Sequence, residues 1–259
     1  MPTWDPAVYE RYKAYRDRPA LDLLTQIPRD LDPAEIWDLG CGTGEHTVVL
    51  SMRHLDANVY GLDSSAEMLA QARKRDAQVA WIEGDIAAFA PATPPDLIFT
   101  NAALQWLPDH GRLFPRLVET LAPGGVFACQ IPVQFETTHH RIIRETAADG
   151  PWAETMADAR PTAPAPRMER YYDWLSPLCD SVDLWTTAYI HVLEGDDAVL
   201  DWLSGTSLLP YVEAVAFEPE LKAGFLAELR RRLTEQFPRR EDGTTLLPFE
   251  RRFFVARRR

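Results

Sequence analysis

The run Asp38-Leu39-Gly40-Cys41-Gly42-Thr43-Gly44 places three glycines within five residues, just before a helix-like segment that opens at Glu45. Glycine has no Cβ, so this loop can turn tightly and lay bare backbone against a ligand. Its spacing is G-x-G-x-G, whereas a pyrophosphate seated on a helix N-terminus calls for G-x-G-x-x-G. Glu45 directly after the last glycine disfavours phosphate, and Asp38 would attract a ligand that carries an ammonium group and a sulfonium. A second apolar run ends in Gly61-Leu62-Asp63-Ser64-Ser65, about 20 residues further on, where an acid accepts hydrogen bonds from both ribose hydroxyls. A third ends in Glu83-Gly84-Asp85-Ile86. There Asp85 can accept from an exocyclic adenine amine while Met68 and Ile86 pack on the purine faces. Taken singly, these are a glycine turn, a helix-capping Asp and a core Met. Their order at successive strand ends is what points to one adenosyl ligand, because ligands of open α/β sheets lie at strand carboxyl ends.

The elements that must position these residues are short apolar runs alternating with helical patterns: 35–39, 59–63, 79–83, 96–100 and 126–131. Such alternation predicts an α/β fold, a parallel sheet covered on both faces. Ser65 to Arg75 reads as a helix, and so does Arg112 to Leu121, where Leu113, Leu117 and Leu121 share a face until Pro123-Gly124-Gly125 stops it. The character changes after Pro132. Prolines at 151, 161, 164 and 166 mark an irregular stretch, and the remainder reads as a loop-rich cover. Its regular elements are a strand from Val182 to Val192, a helix from Pro219 to Phe237 and a final strand from Leu246 to Arg257. The helix carries Leu221, Phe225, Leu229 and Leu233 on one side and Arg230, Arg231 and Arg232 across its polar side. Residues 1–132 are therefore expected to form the ligand-binding core, and 133–259 the cover plus the last two strands of the same sheet.

Composition excludes other classes. The chain has 259 residues, 39 acidic against 27 basic, for a formal charge of −12, which opposes binding to nucleic acid. No run approaches the roughly 18 apolar residues of a membrane span, and the N-terminus shows no basic segment before an apolar one. No membrane association and a cytoplasmic location are expected. Cys41, Cys129 and Cys179 form neither a C-x-x-C pair nor a cluster with histidine, so no metal and no disulfide framework is expected. Cys41 fits its loop by small size, since no activating base accompanies it. Arg251, Arg252 and Arg257-Arg258-Arg259 are expected to be a solvated edge strand and tail.

With Asp38 to Gly44, Asp63, Gly84-Asp85-Ile86 and Leu121-Ala122-Pro123-Gly124-Gly125 in order, the first half of the chain resembles the class I S-adenosylmethionine methyltransferases. A narrower resemblance extends over nearly the whole length, to the family of trans-aconitate 2-methyltransferases. It is carried by Trp4-Asp5-Pro6, Tyr9, Arg16, Arg18, Pro19, the run Asn101-Ala102-Ala103-Leu104-Gln105-Trp106-Leu107-Pro108-Asp109-His110, Tyr171-Tyr172-Asp173, Asp201-Trp202 and Phe253 to Arg257. The resemblance implies a doubly wound, mostly parallel, Rossmann-like seven-stranded sheet, an α-helical cover, and S-adenosylmethionine as cofactor. It also implies methyl transfer to a carboxylate of a small di- or tricarboxylic acid, trans-aconitate giving its monomethyl ester. One position departs from that pattern: Leu209 stands before Pro210 where an arginine is expected, with Tyr211 in place of tryptophan.

A carboxylate acceptor has a pKa of about 4 and is ionised at neutral pH, so no catalytic base is required and the expected mechanism is positioning. The cofactor set is Asp38, Gly40, Cys41, Gly42, Asp63, Ser64, Met68, Asp85, Ile86 and Asn101. The substrate set is Arg16, Arg18, Gln105, Trp106, Tyr171, Tyr172 and Trp202, with His110, His139 and His140 as candidate bases or charge partners. Three alternatives stay open: a methyltransferase with another acceptor, a nicotinamide oxidoreductase, and a non-catalytic cofactor-binding protein. The sequence leaves the oligomeric state open.

Overall fold

A computed structural model describes residues 13–133, 135–159, 166–205 and 207–259. In its first half, α1 (Lys13–Gln26), β1 (Glu35–Leu39), α2 (Glu45–Arg53), β2 (Asn58–Asp63), α3 (Ala66–Ala72), β3 (Ala80–Glu83), β4 (Leu97–Asn101), α4 (His110–Thr120) and β5 (Val126–Pro132) follow one another. Then come α5 (Thr138–Ala148), α6 (Met168–Leu175), β6 (Cys179–Glu194), α7 (Ala198–Ser204), α8 (Leu209–Ala214), α9 (Pro219–Gln236) and β7 (Thr244–Arg258). The seven strands form one sheet in the order β3-β2-β1-β4-β5-β7-β6. Strands β1 to β5 are parallel, and β7 runs antiparallel to β5. The order reverses between β1 and β4, which makes the carboxyl ends there the place for a ligand.

The chain divides into two compact units that interleave along the sequence instead of meeting at one boundary. One holds Asp17–Pro132, 166–187 and Arg251–Arg259; the other holds 133–159 and Ala188–Glu250, with the opening of α1. In the first unit, β5 is buried at every position, as expected of a strand covered on both faces. Phe114 of α4 packs edge-on against Phe127, Phe254 and Tyr171, with ring centres 5.5, 5.3 and 4.8 Å away. In the second unit, α5, α7, α8 and α9 pack Ile142, Ile143, Trp202, Leu203, Tyr211, Phe225, Leu229 and Leu233 into a core of their own.

Several expectations change. The cover read from its residues as loop-rich is helical, as the resemblance implied; α5 escapes a periodicity reading because its buried positions include His139, His140 and Thr146, and α7 and α8, at 7 and 6 residues, are too short to show a helical period. Helix α3 stops at Ala72, short of Arg75, because Lys74 and Arg75 donate three residues back to Gln71 and Ala72 and so tighten the chain into turns. Most consequential, β7 is an interior strand between β5 and β6. Arg251 and Arg252 are therefore not on a solvated edge: they are 6% and 8% exposed.

Candidate active site

The glycine loop folds over the end of β2. The N–H groups of Gly40 and Cys41 both donate to the Leu62 carbonyl, at 2.7 and 3.0 Å. Gly40 and Gly42 have φ of +77° and +54°, in the left-handed region, where a Cβ is strained. Their reasons for being glycine differ. A Cβ on Gly40 would come within 2.3 Å of the Ala103 Cβ, whereas one on Gly42 would meet nothing within 4 Å. Gly40 is thus required by the protein's own packing, while Gly42 faces open space that a ligand can use.

Asp63 ties this loop to the next helix. One carboxylate oxygen accepts from the Gly42 N–H and the other from the Ser65 N–H, each at 2.8 Å. A carboxylate has about four lone-pair sites, so capacity remains for two ribose hydroxyls. Ser65 in turn caps α3 by accepting from the Met68 N–H at 3.2 Å, which fixes the half-buried Met68, while Ser64 is exposed. Asp38 is buried and accepts from the Thr47 hydroxyl at 2.6 Å. Burial pushes its carboxyl up to about 7; the Thr47 hydrogen bond works against that and the Asp63 charge adds to it. A bound ammonium would draw off the remaining proton. Burial, reinforced by Asp38 and Asp63, also pushes the Cys41 thiol up, so it is no nucleophile. Glu45, whose charge weighed against phosphate, is paired with Arg75 at 2.8 Å.

Just after β3, Asp85 accepts from the Ala87 N–H at 2.8 Å and caps the short turn Ile86–Ala88, in which Ile86 is buried. Arg116 of α4 reaches across to hold this turn, donating to the Phe89 and Ile86 carbonyls at 2.7 and 2.8 Å. Sequence reasoning missed Arg116, whose only signal is an arginine on the polar side of an apolar-striped helix.

The ends of β4 and β5 carry the second group. Gln105 donates to the Ala102 carbonyl at 2.6 Å. The buried Asn101 Oδ1, Gln105 Oε1, Thr100 hydroxyl and both polar atoms of Gln130 have no hydrogen-bond partner. Neither Thr100 nor Gln130 was singled out from the sequence, where each looks like an ordinary strand residue. Trp106 and Tyr172 are about half exposed, at 51% and 52%.

Other expected substrate contacts are placed elsewhere. Tyr171 is a core residue of the first unit: its ring is fully buried and its hydroxyl pairs with His110 Nδ1 at 2.6 Å. Trp202 is buried in the core of the second unit against His191 and Phe249. Both stand in stretches that carry the resemblance and were expected to contact the acceptor, and both instead fill hydrophobic cores. Arg18 is exposed and 4.0 Å from Asp22. Trp4, Asp5, Pro6, Tyr9 and the side chain of Arg16 lie outside the described residues. His110 has both ring nitrogens occupied, by Tyr171 and by the Leu104 carbonyl at 2.9 Å. His139 and His140 are buried in the second unit, and desolvation drives them down to about 4 and about 2, so they are neutral at pH 7. Among the described residues no group of His, Cys, Asp and Glu could hold a metal, and no helix is long and apolar enough to cross a membrane.

The chain matches the methyltransferase domain family over residues 36–125, from β1 to the glycines before β5. It is 47% identical over 256 residues to trans-aconitate 2-methyltransferase of Azoarcus sp. (strain BH72), covering 99% of each chain. It is 45% identical over 262 residues to trans-aconitate 2-methyltransferase of Variovorax paradoxus (strain S110), covering 100% of both. Among solved structures it is similar to the YcgJ protein of Bacillus subtilis, with a TM-score of 0.60 at 12% identity over 93% of this chain and 99% of that one. It is also similar to Haemonchus contortus phosphoethanolamine N-methyltransferase 2 in complex with S-adenosyl-L-methionine, with a TM-score of 0.54 at 17% identity. That match takes in 93% of this chain, which spans about half (52%) of the longer protein. At such identities the likeness is one of fold. Similarity to curated relatives from end to end, on a sheet of this order, shows that the chain belongs to the trans-aconitate 2-methyltransferase family.

Proposed function

We propose that this protein is an S-adenosylmethionine-dependent O-methyltransferase that esterifies one carboxylate of trans-aconitate. The observation that carries the reading is Asp63, whose carboxylate is fixed by backbone N–H groups of the glycine loop and of α3 in a chain 47% identical to a trans-aconitate 2-methyltransferase along its length. The residues fit the cofactor: Gly42 leaves room beside bare backbone, Asp63 would take the ribose, Asp85 and Ile86 the adenine, and Asp38 the ammonium group. When bound, S-adenosylmethionine supplies an electrophilic methyl on its sulfonium.

The chain's own contribution is to hold the acceptor in line, exclude water and donate hydrogen bonds to the carboxylates that do not react. No proton need be moved, because the nucleophile is already an anion at neutral pH. A site with His110 fully engaged and Cys41 held protonated is consistent with that chemistry. Incubation with isotopically labelled donor and a panel of di- and tricarboxylates tests the proposal. Label is expected in a monomethyl ester of trans-aconitate. Transfer to another acid alone would assign the departure at Leu209 to a different acceptor, and cofactor binding without transfer would leave a binding protein. Binding of NAD(H) in place of S-adenosylhomocysteine would overturn the cofactor as well.

A further inference from the structure

Gln130 is the one strongly polar side chain in β5, whose other residues are Val126, Phe127, Ala128, Cys129, Ile131 and Pro132. It is fully buried, and neither its amide nitrogen nor its amide oxygen has a hydrogen-bond partner. An amide removed from water with nothing to bond costs stability that a Met or Leu of similar size would not, so packing gives no reason for it. Its position does. Gln130 lies at the carboxyl end of β5 in register with Asn101 on one side and with Phe253 on the other.

Paired residues on neighbouring strands share a face, and Arg251 occupies that face two residues along β7, opposite Pro132. Asn101 Oδ1 is likewise buried without a partner. Trp185 stacks on Phe253 with ring centres 4.8 Å apart and planes 5° from parallel, giving the group an apolar wall. The opposite face, reached by Phe127 and Phe254, is closed by Phe114 and Tyr171.

A protein of net charge −12 repels a polycarboxylate from a distance, so donors for that acceptor must be local. We propose that Gln130 is an acceptor-binding residue whose amide nitrogen donates to a carboxylate of the substrate, beside the positive charge of Arg251. The inference rests on the polycarboxylate reading above. A neutral amide suits this role because it orients the anion without the tight ion pair that would hold down the lone pairs of the reacting oxygen. The order of strands separates this role from the cofactor's, since β4 intervenes between β5 and the glycine loop's strand β1.

The test compares wild type with Gln130→Met and Gln130→Glu. Three quantities are measured: the melting temperature, the Kd for S-adenosylhomocysteine, and both the KM and the calorimetric Kd for trans-aconitate with S-adenosylhomocysteine bound. Gln130→Met is expected to melt at or above the wild-type temperature and to keep its S-adenosylhomocysteine Kd within about twofold. Its trans-aconitate KM and Kd should rise about 10- to 100-fold, the loss of one hydrogen bond to a charged group. Gln130→Glu should weaken the acceptor further by like-charge repulsion. Unchanged acceptor constants, or a lower melting temperature with no change in them, would make Gln130 a packing residue. A shift in the S-adenosylhomocysteine Kd alone would move it to the cofactor. If wild type binds trans-aconitate but does not methylate it, the proposed reaction fails while the calorimetric arm still decides Gln130. If wild type binds none of the acids, both fall.

Discussion

The tips of β1 to β3 and the tips of β4 and β5 lie on the same edge of one sheet, yet they treat polar atoms in opposite ways. At the first three strands the acids are held before any ligand arrives. Asp63 is bonded through both oxygens, Asp85 to the Ala87 N–H and Asp38 to Thr47. At β4 and β5, Asn101, Gln105 and Gln130 each keep at least one buried polar atom unbonded. The first region is set in advance for a ligand whose shape does not vary. The second carries a standing cost in stability that is relieved only when a partner for those atoms arrives. A cofactor common to a whole fold and an acceptor particular to one family would produce this contrast.

The sharpest break in the comparison comes from two alanines at glycines of the same conformation. Gly40→Ala drives a Cβ into Ala103 at 2.3 Å, and unfolding in urea should show a loss of roughly 2 to 5 kcal/mol from overpacking plus backbone strain. Gly42→Ala, with open space beside it, should lose only about 1 to 2 kcal/mol of stability from its left-handed backbone while S-adenosylhomocysteine binding measured by calorimetry falls steeply. Equal stability losses in the two variants would refute the assignment of Gly42 to the ligand.

Removing the pinned acid comes next. Asp63→Ala is expected to weaken S-adenosylhomocysteine by roughly 1 to 3 kcal/mol and to leave the acceptor Kd nearly as it was. If the acceptor constant moved as much as the cofactor constant, the two regions would not be separate devices.

Asp38 sharpens the comparison through pH. Its carboxyl is raised to about 7 in the fold from about 3.9 in an unfolded chain. Folding therefore favours the protonated form, and the contribution is complete below about pH 4 and lost as pH rises through about 7. Asp38→Asn, which never ionises, should match wild type in stability near pH 4 and exceed it at pH 8 by roughly 1 to 2 kcal/mol. The wild-type protein should bind S-adenosylhomocysteine more tightly as pH rises from 6 to 8, and the variant should lose that slope. A flat wild-type profile would remove Asp38 from the ammonium site.

The smallest effect belongs to Tyr171, on the far face of the sheet. Tyr171→Phe deletes its bond to His110 and should cost about 0.5 to 1.5 kcal/mol of stability with KM for the acceptor unchanged. A raised KM would bring Tyr171 back to the substrate.

Much of the first region was legible in the sequence because its signals are local. A glycine loop, a capping acid and a serine before a helix each act within a few residues of their own position. The acid at 63 could be tied to the loop because strand ends of a parallel sheet converge. The second region was legible only in part. Asn101 and Gln105 stand out in a strand-end motif, but Gln130 looks like any residue of a buried strand until its neighbours in space are known. Tyr171 and Trp202 misled for the same reason, since an aromatic side chain reads alike whether it walls a site or fills a core. Arg251 and Arg252 looked like an exposed edge because sequence order puts β7 last, whereas the sheet puts it inside.

By itself the sequence determined the alternation of strands and helices, the backbone freedom of the loop at 40–44 and the acids at three strand tips, because hydrophobic period and glycine conformation are properties of short stretches. Only the tertiary structure decided which glycine serves packing and which faces open space, that Arg251 and Arg252 are buried, and that an amide in β5 waits unbonded. Those facts depend on strand order and on which face a side chain shares, and both are fixed by contacts between residues far apart in the chain.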